Sequence, residues 1–276
     1  MSTAADSVLE GFERRDFAHD GVTHRHYVIG SGPAVIVIAE IPGITPKVAG
    51  FARRVADAGF TVFLPSLFGT DGADPNPNGI TDAARAGGVM IRALGKVCVS
   101  REFTVLATGR SSPVVSWLRA LSRSAHAECG GPGTGAIGMC LTGGFALAMS
   151  VDDTMLAPVL SQPSLPFGIT PGRRRTIDIS PDDLSRVQTR CAKGLQVMGA
   201  RFEGDVLSPG GRFDFLREHL GDAFIGVELP DETANSEGAL PPHSVVTEHL
   251  VDAPGEPTRE ALDDIIAFFR EKLGVA

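Results

Sequence analysis

The sequence predicts an α/β fold: a mostly parallel central sheet of about eight strands flanked by helices, in one domain over residues 1–276. Three observations predict it. Short, β-branched apolar runs alternate with helical apolar patterns along most of the chain. Several of these runs are continuous rather than alternating, as strands buried on both faces require. The 276 residues are 43% apolar and 21% charged, which is enough to bury a sizeable core and unlike a disordered chain.

The elements follow in order. Gly11–Phe17 and Thr23–Ile29 flank His19-Asp20-Gly21 and read as a hairpin, because glycine supplies the positive φ of a tight turn. Ala34–Ile38 is the first central strand. Val48, Phe51, Ala52 and Val55 recur at helical spacing, and Gly59 stands where that helix ends. Thr61–Leu64, stopped by Pro65, completes a parallel unit. Residues 66–110 are less regular. Ser112 and Pro113 read as the N-cap and first position of a helix with Val114, Trp117, Leu118 and Leu121 on one face. Ala136–Met139, Pro158–Leu160, Leu195–Met198 and Phe224–Leu229 are the remaining strands. Ser180-Pro181-Asp182-Asp183 reads as a capping box. Thr258 is the expected N-cap of a last helix that buries Leu262, Ile265, Ile266, Phe269 and Leu273.

Charge and composition exclude several classes. Net charge is −8, so nothing draws the chain to nucleic acid or anionic lipid. Arg173-Arg174-Arg175 is a short basic run in a loop and reads as a solvated face. Met1–Phe17 has no apolar core of the kind a signal peptide needs, and the longest apolar run, 34–39, is too short to cross a membrane. Cys98, Cys129, Cys140 and Cys191 form no CxxC pair or metal-ligand spacing. These features imply a reduced, cytoplasmic protein. Neither a metal nor an organic cofactor is expected.

One segment carries chemistry. Gly138-Met139-Cys140-Leu141-Thr142-Gly143-Gly144 follows a strand and opens a helical run, Phe145–Met149. Such a turn must be made within about two residues, with flanking glycines where a side chain would strike backbone. It is the geometry of a nucleophile elbow, with Cys140 where serine usually stands. The helix N-terminus favours thiolate, and the Leu141 amide can serve an oxyanion.

A nucleophile needs a base and a group that orients it. In the order nucleophile, acid, histidine, the acid falls in the loop after Leu195–Met198, where Asp205 and Glu203 both stand. The histidine falls before the last helix, where His243 fits the order and His249 is its rival six residues on.

With these residues in place, the chain resembles the dienelactone hydrolase family of α/β-hydrolases. Val35–Gly43, Phe60–Phe68, the elbow Gly138–Gly144, Asp205-Val206-Leu207-Ser208-Pro209 and His243-Ser244 each match a family segment. The resemblance implies an α/β-hydrolase fold with Cys140 as nucleophile, His243 as base and Asp205 as orienter. It also implies that Glu40 lies beside the nucleophile and that the amides of Ile41 and Leu141 form the oxyanion hole. Glu40 would then oppose thiolate formation by charge repulsion. Dienelactone-cleaving members carry an arginine four residues after the histidine, where this chain has Thr247. Arg101 corresponds to another arginine that would receive a substrate carboxylate.

The expected function is hydrolysis of a carboxylic ester or lactone, a small-molecule substrate, through a thioester. A non-catalytic ligand-binding hydrolase fold and a redox-sensing thiol are the alternatives. The sequence does not fix the oligomeric state.

Overall fold

The computed structural model describes residues 7–74, 111–238 and 241–276. Eight strands form one sheet: β1 (Glu13–His19), β2 (Val22–Gly30), β3 (Ala34–Ile38), β4 (Thr61–Pro65), β5 (Thr134–Met139), β6 (Met155–Ser161), β7 (Val197–Phe202) and β8 (Phe224–Leu229). Their order across the sheet is β1-β2-β4-β3-β5-β6-β7-β8. The β1–β2 and β2–β4 pairs are antiparallel and the other pairs are parallel. The fold class therefore agrees with the sequence. Asp20 and Gly21 both have positive φ, 49° and 78°, which is the primed turn whose twist suits a hairpin.

Helices cover both faces of the sheet. α1 (Pro46–Asp57) and α6 (Pro257–Leu273) cover one; α2 (Val114–Cys129), α3 (Gly143–Met149), α4 (Pro181–Cys191) and α5 (Gly211–Leu220) cover the other. Along β3, Ile36 and Ile38 face one core cluster while Val35 and Val37 face the other, and all four are fully buried. This two-sided burial explains the continuous apolar run. Among the described residues, no helix is long and apolar enough to cross a membrane.

Some local expectations are corrected. Thr258 lies inside α6; the cap is Glu256 with Pro257 at the first turn, and Thr258 Oγ1 instead accepts the Val251 amide at 2.9 Å. Ile266 is only partly buried, and Phe268 takes its place in the core. Ser112 does not cap α2: Pro113 stands there, and the Ser112 hydroxyl donates to Asp178 at 2.7 Å. The capping box at Ser180 is one-sided. Ser180 Oγ accepts the Asp183 amide at 3.1 Å, while the Asp183 carboxylate takes Ser111 and Arg119. β7 begins two residues later than expected and runs to Phe202, because its alternate residues fill both cores.

Candidate active site

Parallel pairing aligns the carboxyl ends of the central strands. Gly138 of β5 pairs with Ile38 of β3 and Leu160 of β6. Glu40, Cys140 and Gln162, each one or two residues past its strand, therefore meet at one sheet edge. In open parallel sheets that edge is where ligands bind.

Cys140 sits on a sharp turn with φ 55°, a region that a non-glycine side chain rarely occupies. A 3₁₀ turn, Cys140–Thr142, leads into α3. Gly138 is required there, since a Cβ would lie 2.0 Å from the Thr142 carbonyl oxygen. At Gly143 a Cβ would lie 2.5 Å from Pro163 Cα. The position two past Cys140 holds threonine where the general elbow pattern has glycine. Thr142 Oγ1 accepts the Met139 amide at 2.9 Å and donates to the Ile38 carbonyl at 3.0 Å. Its hydroxyl thus ties the elbow to the strand that leads to Glu40 and Ile41.

Asp205 and His243 form a buried pair, Nδ1 to Oδ2 2.6 Å. The other Asp205 oxygen accepts the amides of Leu207 at 2.9 Å and Ser208 at 3.1 Å, which fixes the acid loop. Burial alone would raise the Asp205 pKa, but the His243 bond and these amides leave it below the usual carboxylate value. Glu203 is exposed and points to no such pair. His243 Nε2 is buried, and among the described residues the group that acts on the ring besides Asp205 is Cys140. Burial pulls the His243 pKa down; the negative charge of the Cys140 thiolate and the bond to Asp205 overcome it and hold the pKa well above the ordinary histidine value. This arrangement favours the charged imidazolium.

His249 supports the segment that carries His243. Its Nδ1 accepts the backbone amides of Ser244 at 3.1 Å and His243 at 3.4 Å. Glu40 is buried and its oxygens are occupied. Oε2 accepts from Ser244 Oγ at 2.6 Å and Gln162 Nε2 at 3.1 Å, and Oε1 accepts from the Thr247 hydroxyl. Among the described residues, the Ile41 amide has no acceptor, and the Leu141 amide opens a turn whose first N–H groups lack intrahelical partners. Arg101 and Cys98 lie outside the described residues, and Cys129, Cys140 and Cys191 are free thiols.

Sequence reasoning missed two supports of this site. Arg212 is fully buried in α5 and donates to the carbonyls of Leu165, Thr176 and Pro166, each at 2.6 Å, and of Ser164 at 3.1 Å. Burial pushes its pKa down to about 10. The Ser164 amide in turn donates to the Cys140 carbonyl at 2.9 Å. Gln162 is the other. Its φ is 35°, another left-handed non-glycine residue at the site edge. Neither has a local sequence signal, because the partners of Arg212 are backbone carbonyls and Gln162 reaches Glu40, far along the chain.

The strand order, the strand-edge elbow and the buried acid–histidine pair define an α/β-hydrolase. The family model for dienelactone hydrolases matches residues 23–163, and the chain belongs to the dienelactone hydrolase family. No curated protein matches it significantly in sequence. Among solved structures it is similar to a provisionally assigned dienelactone hydrolase from Klebsiella pneumoniae subsp. pneumoniae, with TM-score 0.61, 16% identity, and coverage of 94% of this chain and 98% of that one. It is also similar to a dienelactone hydrolase-like promiscuous phosphotriesterase from metagenomic libraries, with TM-score 0.59, 16% identity, and coverage of 95% and 98%. A dienelactone hydrolase from Anabaena variabilis gives TM-score 0.55, 13% identity, and coverage of 96% and 100%. At these identities the likeness bears on the fold.

Proposed function

We propose that this protein, acting as one domain, hydrolyses a carboxylic ester or lactone through a Cys140-His243-Asp205 triad. The observation that carries the reading is a thiol on a strained strand-to-helix turn, electrostatically coupled to a buried histidine that is itself bonded to a buried carboxylate. A purely structural cysteine needs neither the strain nor the partner.

The chemistry follows from these groups. The Cys140 thiolate attacks the carbonyl carbon, and the oxygen's developing charge is received by the amides of Ile41 and Leu141. As the carbon–oxygen bond breaks, imidazolium Nε2–H gives its proton to the leaving alkoxide; in a lactone this alkoxide stays tethered to the acyl group. A thioester remains. Neutral His243 then takes a proton from water as its oxygen adds to the thioester carbon. Collapse breaks the carbon–sulfur bond, releases the acid and restores thiolate and imidazolium. Asp205 holds the imidazole in the tautomer that leaves Nε2 toward the chemistry.

Iodoacetamide should modify Cys140 and abolish turnover of an activated ester, and Cys140→Ala should be inactive. An acyl adduct on Cys140 should accumulate at acid pH and be seen by mass spectrometry. Full activity in Cys140→Ala would refute the reading.

A further inference from the structure

We propose that Glu40 is a positioning residue: its carboxylate, braced by Gln162, anchors the loop that carries His243 through the hydroxyls of Ser244 and Thr247. The inference rests on the triad reading above and goes beyond it. The family resemblance gives Glu40 a role beside the nucleophile; its hydrogen bonds add a role on the loop of the histidine.

Three donors converge on two oxygens. Ser244 Oγ and Gln162 Nε2 reach one oxygen and Thr247 Oγ1 the other, all in buried side chains. A carboxylate, which only accepts, suits three donors; an amide would turn an N–H group against one of them. Gln162 cannot simply flip to compensate. Its Oε1 accepts the Val245 amide at 3.4 Å and the Ser161 hydroxyl, so Nε2 must face Glu40. Val245, Ser244 and Thr247 all belong to the segment that follows His243. That segment is held from β3 by Glu40, from the end of β6 by Gln162, and from within by His249, whose amide also donates to the Ser244 carbonyl at 3.0 Å.

The loop needs such anchors. It lies between β8 and α6, outside any regular element, so no ladder or helix fixes His243. Among the described residues, the side-chain tie of His243 to the acid is the Asp205 bond. A shift of about 1 Å in a general base can cost on the order of a hundredfold in rate. The left-handed backbone of Gln162 fits the same role: strain is tolerated where a side chain must be aimed.

The test uses the full chain, an activated ester such as p-nitrophenyl acetate, and variants outside the triad. Thr247→Val and Ser244→Ala should each lower kcat by roughly tenfold with KM little changed. The pair together should match Glu40→Gln to within about twofold, since all act through one anchor. Thr247→Ser should restore the Thr247→Val loss. Far-UV circular dichroism should be unchanged throughout. In Thr247→Val and Glu40→Gln, Cys140 should be alkylated more slowly near neutral pH, because the imidazolium no longer holds the thiolate. Faster alkylation in Glu40→Gln, with Thr247→Val and Ser244→Ala at wild-type kcat, would overturn the anchor and assign Glu40 to the sulfur directly. A fully active Cys140→Ala would refute the triad instead. The anchor is then judged by the imidazole titration of His243 in NMR, which should move down in Thr247→Val; an unmoved titration overturns it.

Discussion

Arg212→Met tests how much of the site rests on one buried cation. The guanidinium bonds four carbonyl oxygens, those of Ser164, Leu165, Pro166 and Thr176, and no carboxylate among the described residues. Methionine fills similar volume and donates nothing. A buried acceptor left unpaired costs about 1–3 kcal/mol, so four give roughly 4–12 kcal/mol. Entering water and loop relaxation recover part, which makes about 4 kcal/mol the working figure. That is a large share of the ~5–15 kcal/mol that holds a typical domain folded. With a urea dependence of about 3 kcal/mol per molar, the unfolding midpoint should fall by roughly 1.3 M. Lysine has a single ammonium and cannot reach four spread carbonyls, so Arg212→Lys should recover only part of the loss. Equilibrium urea unfolding followed by tryptophan fluorescence measures this, since Trp117 is the sole tryptophan and is buried. Turnover should also fall in Arg212→Met, because the Ser164 amide that holds the Cys140 carbonyl belongs to the freed loop. A midpoint within about 0.2 M of wild type would refute the argument, since even one orphaned carbonyl should exceed that.

Other outcomes follow from the same geometry. Asp205→Asn should reduce kcat by about 10⁴-fold, as loss of the orienting carboxylate does in serine triads; near-normal turnover would return the acid role to Glu203. Because the Asp205 pKa is depressed in the folded state, the stability it contributes is complete above its ordinary value of 3.8 and lost as pH falls through the lower folded value. Acid unfolding of Asp205→Asn should therefore be less steep below pH ~4 than in wild type, and equal slopes would contradict the shift. Gly138→Ala should unfold more easily or lose turnover, because its Cβ meets backbone oxygen at 2.0 Å; an alanine variant with wild-type kcat and midpoint would show that the elbow can yield. Thr247 gives its hydroxyl to Glu40 and offers a substrate carboxylate no cation, so in a panel of esters and lactones dienelactone should not be the best substrate; if it is, Thr247 does not govern the choice.

The sequence by itself determined the class of fold and the identities at the elbow. Ala34–Ile38 could be read as a central strand because burial on both faces removes every polar residue from the run, a local property. Gly138 and Cys140 could be read as an elbow because a strand that turns into a helix within two residues leaves no room for a Cβ, also a local constraint. Chain order narrowed the acid to Asp205 or Glu203 and the histidine to His243 or His249. The tertiary structure gives each of the four a different environment. Asp205 is buried against His243 while Glu203 faces water, and His249 spends Nδ1 on two amides. Periodicity does not encode which of two neighbours in a loop turns inward. Nor could it show that Glu40 meets Thr247 across more than two hundred residues, or that Arg212 bonds carbonyls, since a carbonyl looks the same whatever residue carries it. Strand and elbow are set by the chemistry of adjacent residues. The loops that complete the site are set by what the folded sheet brings to its carboxyl edge, and that information exists only after the chain has closed on itself.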